Sequence, residues 1–165
     1  MIASPDRTAA FDATAFRAVL GQYATGVTIV TTQTPAGPMG ITANSFASVS
    51  LDPPLVLWSP ARASSRFAAF AAADFFSIHV LKADQRDLCH RFTRGGQGFD
   101  QLSYGFSPEG APILADTLAR FDCALHNTHD GGDHLIILGR VLRFAAHPGS
   151  PLIFAQGAYA ALTAD

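Results

Sequence analysis

Between Gly40 and Pro54 the chain reads Gly-Ile-Thr-Ala-Asn-Ser-Phe-Ala-Ser-Val-Ser-Leu-Asp-Pro-Pro. A core strand would carry Val and Ile at these positions. Here Thr42, Asn44, Ser45, Ser48 and Ser50 supply small hydroxyl and amide groups instead. Small side chains leave the backbone accessible, so the stretch suits something flat and polar lying against the main chain. Asp52-Pro53-Pro54 then reads as a turn, because proline fixes φ and withdraws a ladder donor.

Two further groups could do chemistry. Arg62, Ser64, Ser65 and Arg66 combine two guanidinium groups with two hydroxyls. Ser64 or Ser65 is placed to cap a helix, whose exposed N–H groups favour an anion. A neighbouring arginine binds phosphate bidentately. The plain alternative is a capped helix with arginines in solvent. His126, His129, Asp130, Asp133 and His134 crowd nine positions. Imidazole and carboxylate together are zinc-ligand chemistry. His126 and His129, however, lie three apart on a strand and would face opposite sides of it. No metal site is expected.

Elements of recognisable type must position these groups. Asp12 caps a first helix carrying Phe16, Val19, Leu20 and Tyr23, ended by Gly26. Val27 to Thr32 is β-branched throughout and predicts a strand. Pro35-Ala-Gly-Pro38 turns the chain, so Met39 to Ser48 is expected to return as one hairpin arm. Leu55 to Ser59 is a short buried strand. The helix capped at Ser64 or Ser65 runs to about Ala73. Phe75 to Leu81 alternates as a strand, and Asp84 opens a helix through Phe92 that breaks at Gly95-Gly96. Arg94 to Pro112 reads as loop. Leu118–Asn127 and His134–Ala146 are long strands joined by a turn over His129–Asp133, and Leu152–Phe154 and Ala158–Leu162 finish the chain. Strands joined by hairpins, with helices inserted between them, describe a mainly β, antiparallel barrel, closed or nearly so.

The 165 residues are 48% hydrophobic and 15% charged, enough for one domain over 11–165 behind a tail at 1–10. With a net charge of −2, one lysine and ten scattered arginines, the chain lacks a nucleic-acid footprint. No apolar run reaches membrane-span length and no signal-peptide core precedes Thr8, so a cytoplasmic protein is expected. Cys89 and Cys123 sit in no metal or redox spacing and read as free thiols. The high apolar fraction leaves surface for a partner subunit. Most of the thirteen phenylalanines are core by burial alone. Phe92 and Phe99 lie where a helix and loop could close over a site. His79 and His90 read as a strand-face and a helix-face residue.

Phe16 to Thr32 (Phe-Arg-Ala-Val-Leu-Gly-Gln-Tyr-Ala-Thr-Gly-Val-Thr-Ile-Val-Thr-Thr) resembles the opening signature of the short-chain flavin reductases, the reductase components of two-component flavin-dependent monooxygenases. Gly40–Pro54, Val80-Leu81 with Gln85 and Leu88, Gly132-Asp-His134, Gly139-Arg-Val141 and Pro151-Leu152 follow in that family's order. The likeness spans roughly Phe16 to Leu162. It implies an FMN-binding split barrel of Greek-key-like connection, a homodimer with flavin at or near the subunit interface, and reduction of FMN or FAD by NADH, with NADPH possible. Reduced flavin would pass to a separate monooxygenase.

Carried over by position, Thr42, Ala43, Asn44, Ser45, Ser48, Val49, Ser50 and Leu51 touch the flavin ring and ribityl chain. Arg62, Ser64 and Ser65 hold its phosphate, with Arg62 ahead of Arg66. His134 seats the nicotinamide, and Asp133 shapes the turn. Hydride transfer of this kind needs no triad or carboxylate pair, and the chain shows neither. The alternatives are a split-barrel enzyme with a tightly held flavin and another acceptor, or a flavin-binding module without turnover.

Overall fold

The computed structural model describes residues 11–95 and 97–162; the expected tail at 1–10 lies outside them. Helix α1 (Ala13–Leu20) begins where Asp12 accepts hydrogen bonds from the N–H groups of Thr14 and Ala15, at 2.9 and 3.1 Å. Gly21 ends it, five residues before the expected stop. The strands follow as β1 (Thr25–Gly26), β2 (Thr28–Thr34), β3 (Gly37–Ala43), β4 (Ala47–Leu51) and β5 (Pro54–Trp58). After α2 (Phe67–Ala71) come β6 (Phe75–Val80), α3 (Arg86–Arg91), β7 (Tyr104–Phe106) and β8 (Pro112–Leu114). Two long strands, β9 (Ala119–Gly131) and β10 (His134–Ala146), precede β11 (Leu152–Ala155) and β12 (Ala158–Ala161).

Seven strands form one antiparallel sheet in the order β3-β2-β6-β9-β10-β5-β4. Its two edges, β3 and β4, are consecutive in the chain and joined by Asn44, Ser45 and Phe46 alone. Four Cα steps reach at most roughly 14 Å. Six strand spacings in a flat sheet would separate the edges by roughly 29 Å. The sheet therefore rolls until its edges meet, and the split of the barrel falls at Asn44–Phe46. The single arm expected over Met39–Ser48 is thus two strands with different partners, β2 for β3 and β5 for β4. Barrel closure, a long-range requirement, overrides the local run of strand-forming residues.

Alternation along the strands separates two cores. Val30, Ile41, Val56, Trp58, Phe76, Ile78 and Ile137 fill the barrel, with Phe70 of α2 edge-on to Trp58 at 5.1 Å. Val27, Ile29, Leu81, Cys89, Phe92, Phe99, Leu114 and Leu152 pack outside it, under α3 and the β1-β11-β12 sheet. Phe92 and Phe99 are buried here, edge-on to each other at 5.0 Å. They belong to this core and form no flap over a site.

Segment 94–112, expected as loop, contains one arm of the β7–β8 hairpin. The hairpin region covers a polar layer on the sheet's outer face. There Ser77 donates to buried Asp122 at 2.9 Å, and Thr31 donates to the Pro112 carbonyl. His79 is fully buried: its Nδ1–H donates to the Ile29 carbonyl and its Nε2 accepts the Leu114 N–H, both at 3.1 Å. That pairing requires the neutral ring, and burial pushes the imidazole down to about 4. Two strand glycines have steric causes. A Cβ on Gly139 would lie 2.7 Å from the Phe76 ring, and one on Gly40 would lie 2.5 Å from the Phe92 ring.

Candidate functional site

At the split, a cleft of about 240 Å³ opens between the end of β3 and the chain leaving β5. One wall is Ile41, Thr42, Ala43, Asn44 and Ser45. The other is Trp58, Ser59, Pro60, Ala61, Ser64 and Arg66, with His134 at the mouth of β10. A second hollow of about 170 Å³ shares Thr42, Ala43 and Asn44 and is completed by Val27, Phe154 and Tyr159. Segment 42–44 is therefore open on two sides.

The cleft walls are held by hydrogen bonds made locally. The Thr42 hydroxyl donates to the Cys89 carbonyl at 2.7 Å, and its N–H donates to the Phe92 carbonyl at 3.0 Å. The Ser45 hydroxyl accepts the Ser59 N–H at 2.9 Å, tying the break between β3 and β4 to the end of β5. These two hydroxyls and the Thr42 N–H are structural, and the Ala43 carbonyl accepts the Thr28 hydroxyl at 2.7 Å, which leaves the backbone of 44–45 and the exposed Asn44 amide as the surfaces open to a ligand.

The helix expected from Ser64 or Ser65 is the five-residue α2, which starts at Phe67 with no side-chain cap. Ser64 instead sits in a turn and accepts the Arg66 N–H at 3.2 Å. Ser65 is exposed and does not line the cleft. No capped helix start therefore faces the cleft, and positive charge there comes from a side chain.

The two arginines differ sharply. Arg62 does not line the cleft; its guanidinium pairs with Asp130 at 2.8 Å and donates through Nε to the Gly132 carbonyl at 3.0 Å. Arg66 does line it. Its Nη atoms donate to the carbonyls of Phe92 and Thr93 at 2.6 and 3.1 Å, and its Nε is buried with no partner. Among the described residues no carboxylate neutralises it. Burial pulls its pKa below the usual arginine value, the mark of a cation held without a counter-ion.

His134 follows the two-residue turn Gly132-Asp133, so the expected His129–Asp133 turn is tighter and β9 extends through Gly131. Gly132 has φ +74°, the conformation that lets glycine open such a hairpin. The His134 Nδ1 lies 2.8 Å from an Asp133 carboxylate oxygen, and this contact holds the Asp133 carboxyl below the usual carboxylate range. His126 and His129 are both on β9, and among the described residues no three metal-ligating side chains cluster.

The structure thus brings together Thr42, Ala43, Asn44, Ser45, Ser64 and His134. It places Ser48, Val49, Ser50 and Leu51 on edge strand β4, outside the cleft, with Leu51 96% exposed. Sequence reasoning passed over Trp58, Pro60 and Ala61. The Trp58 indole is buried with its Nε1 unpaired; a tryptophan closing a short buried strand directly before Ser-Pro was the available signal.

A family model described as a flavin reductase like domain matches residues 20–163. The chain is 58% identical over 144 residues to a protein named FMN reductase (NADH) from Agrobacterium fabrum, covering 87% of this chain and 83% of that one. It is 42% identical over 158 residues to a protein from Rhodococcus jostii named as the reductase subunit of a flavin-dependent monooxygenase, covering 94% and 81%. The solved structure of a Streptomyces globisporus NADH:FAD oxidoreductase, in complex with NAD and FAD fragments, superposes with a TM-score of 0.87 at 36% identity, covering 93% and 94%.

Proposed function

The chain belongs to the flavin reductase-like family, and its barrel is the antiparallel split barrel of those relatives. From that premise we propose that it reduces FMN or FAD with NADH and releases the reduced flavin to a separate flavin-dependent monooxygenase. NADH is the donor named for the Agrobacterium and Streptomyces relatives. The observation that carries the reading is the meeting of the open 44–45 backbone, the uncompensated Arg66 and His134 around one cleft.

Those residues fit a flavin. The backbone of Asn44 and Ser45 offers N–H and C=O groups to the rim of a flat ring, with the small Thr42 and Ala43 side chains beside it. Arg66 lacks a counter-ion, and a flavin phosphate would supply one, helped by the Ser64 hydroxyl. The cleft is smaller than the roughly 300–1,000 Å³ of typical cofactor pockets. A ligand would therefore extend across Asn44 toward the second hollow or be covered by another subunit. When bound, flavin supplies the hydride acceptor for reduced nicotinamide. The protein's part is orientation: His134, held by Asp133, offers its other ring nitrogen at the cleft mouth to seat the nicotinamide amide.

We further propose a homodimer. The face of α1 exposes Phe16, Val19 and Leu20, the helix buries no residue, and edge strand β4 exposes Val49 and Leu51. A cytoplasmic location fits two buried, unpaired thiols, and no described helix is long and apolar enough to cross a membrane.

The test is NADH oxidation in air with FMN, FAD or no added flavin. Oxidation that rises and saturates with one flavin marks flavin as substrate. Flavin-coloured protein that ignores added flavin and does not oxidise NADH overturns the proposal.

A further inference from the structure

The family likeness assigns Arg62 to the flavin phosphate, but its contacts describe another task. Two residues after Trp58 closes β5, the chain meets the β9–β10 turn and runs antiparallel to it. Leu135 donates its N–H to the Pro60 carbonyl at 3.1 Å, Ala61 bridges His134, and Arg62 donates its N–H to the Asp133 carbonyl at 2.9 Å. The Arg62 side chain then reaches over the same turn. Its Nε donates to the Gly132 carbonyl at 3.0 Å, its Nη2 pairs with Asp130 at 2.8 Å, and its guanidinium lies 5.6 Å from the Phe67 ring centroid. The planar guanidinium supplies two donors in fixed relation here, which an ammonium cannot reproduce. Its charge already has a carboxylate partner, unlike that of Arg66.

We infer that Arg62 is a positioning residue for the nicotinamide: it fastens the Gly132-Asp133 turn to segment 60–64 and thereby holds His134 at the cleft mouth. The inference rests on the flavin-reductase reading and on His134 as the nicotinamide contact. Without the fastening, the turn is joined to segment 60–64 by backbone hydrogen bonds alone, and its tip is exposed. Such a tip opens readily, and a misplaced His134 costs donor binding. Flavin affinity is expected to hold, because Ser64 and Arg66 line the cleft and Arg62 does not.

The test uses R62A and D130N in the full chain. D130N leaves the Arg62 cation in place and removes only its carboxylate partner. Arg62 and Asp130 are solvent-exposed, so losing their ion pair corresponds to roughly twofold to fivefold. Both variants are expected to raise the KM for NADH by that order, D130N less than R62A, with flavin Kd within about twofold of wild type. In the ligand-free protein, hydrogen exchange at the Leu135 amide is expected to quicken in both, a readout independent of turnover. R62K, which keeps the charge but not the fork, is expected to follow R62A.

A phosphate role for Arg62 predicts the reverse pattern. R62A would then weaken flavin binding, R62K would restore it, and D130N would tighten it by freeing the cation. That pattern, or an unchanged KM for NADH with unchanged Leu135 exchange in R62A, overturns the inference. Wild-type protein that fails to oxidise NADH with either flavin overturns the flavin-reductase reading itself, a different failure visible before any variant is made.

Discussion

Lowering the pH from 7 to 4 perturbs the buried His79 imidazole. His79 is neutral in the fold because both ring nitrogens are engaged, Nδ1 as donor to Ile29 and Nε2 as acceptor from Leu114. Burial moves its pKa from 6.5 to about 4. In the unfolded chain the ring gains a proton below 6.5, while the fold refuses it until about 4. The stability that His79 contributes is therefore complete above pH 6.5 and is lost as the pH falls toward 4. Two and a half pKa units correspond to about 3 kcal/mol, a large share of the 5–15 kcal/mol typical of a domain. Carboxylates held low by cationic partners, Asp116 by Lys82 and Glu109 by Arg143, begin to lose their contribution as the pH enters the usual carboxylate range, so the windows overlap at the acid end and the difference between wild type and H79Q isolates the His79 part. The assay is denaturant unfolding of wild type and H79Q at pH 7, 6, 5 and 4. Glutamine offers a donor and an acceptor but does not titrate. Wild type is expected to fall relative to H79Q by about 3 kcal/mol across the series. Parallel pH profiles for the two proteins would refute the buried, neutral His79.

Removing the Arg66 charge with R66M is expected to weaken FMN binding by ten- to a hundredfold, the scale of a lost charge-assisted pair; riboflavin, which lacks the phosphate, should bind wild type and variant alike in fluorescence titrations. H134A is expected to raise the KM for NADH roughly threefold to tenfold while flavin titrations stay unchanged; normal steady-state kinetics with NADH would remove His134 from the site. G139A places a methyl 2.7 Å from the Phe76 ring and 3.0 Å from Cys123 Cβ, and should cost about 1–3 kcal/mol in unfolding experiments. Light scattering of the purified chain should report a dimer, and V19D on the exposed face of α1 should shift it toward monomer; a monomeric wild type would contradict the paired assembly.

What could be read in advance follows a physical division. Runs of β-branched residues and turn signals located β2, the Pro35–Pro38 hairpin and the two long strands, because those choices are local. The break at Asn44–Phe46 was invisible: it contains neither glycine nor proline, and only the meeting of β3 and β4 at opposite edges of one sheet imposes it. The β7–β8 hairpin escaped notice because three-residue strands carry too little alternation to register. Segment 42–45, Ser64 and His134 were legible as one site through the family likeness, which encodes their assembly without explaining it. The different partners of Arg62 and Arg66 were not, since four residues of separation conceal them. One guanidinium meets Asp130 and the other meets two carbonyls, and those partners lie far away in the chain. The close contacts of Gly40 and Gly139 with Phe92 and Phe76 are likewise long-range.

The central claim is that this cleft brings NADH and flavin together for hydride transfer. Its most direct test is an anaerobic single turnover with protein, one equivalent of FMN and one of NADH in a stopped-flow cell. The account predicts that flavin absorbance bleaches in step with NADH loss, one for one, and much faster than the same mixture without protein. Flavin that binds yet stays oxidised while NADH persists would contradict it.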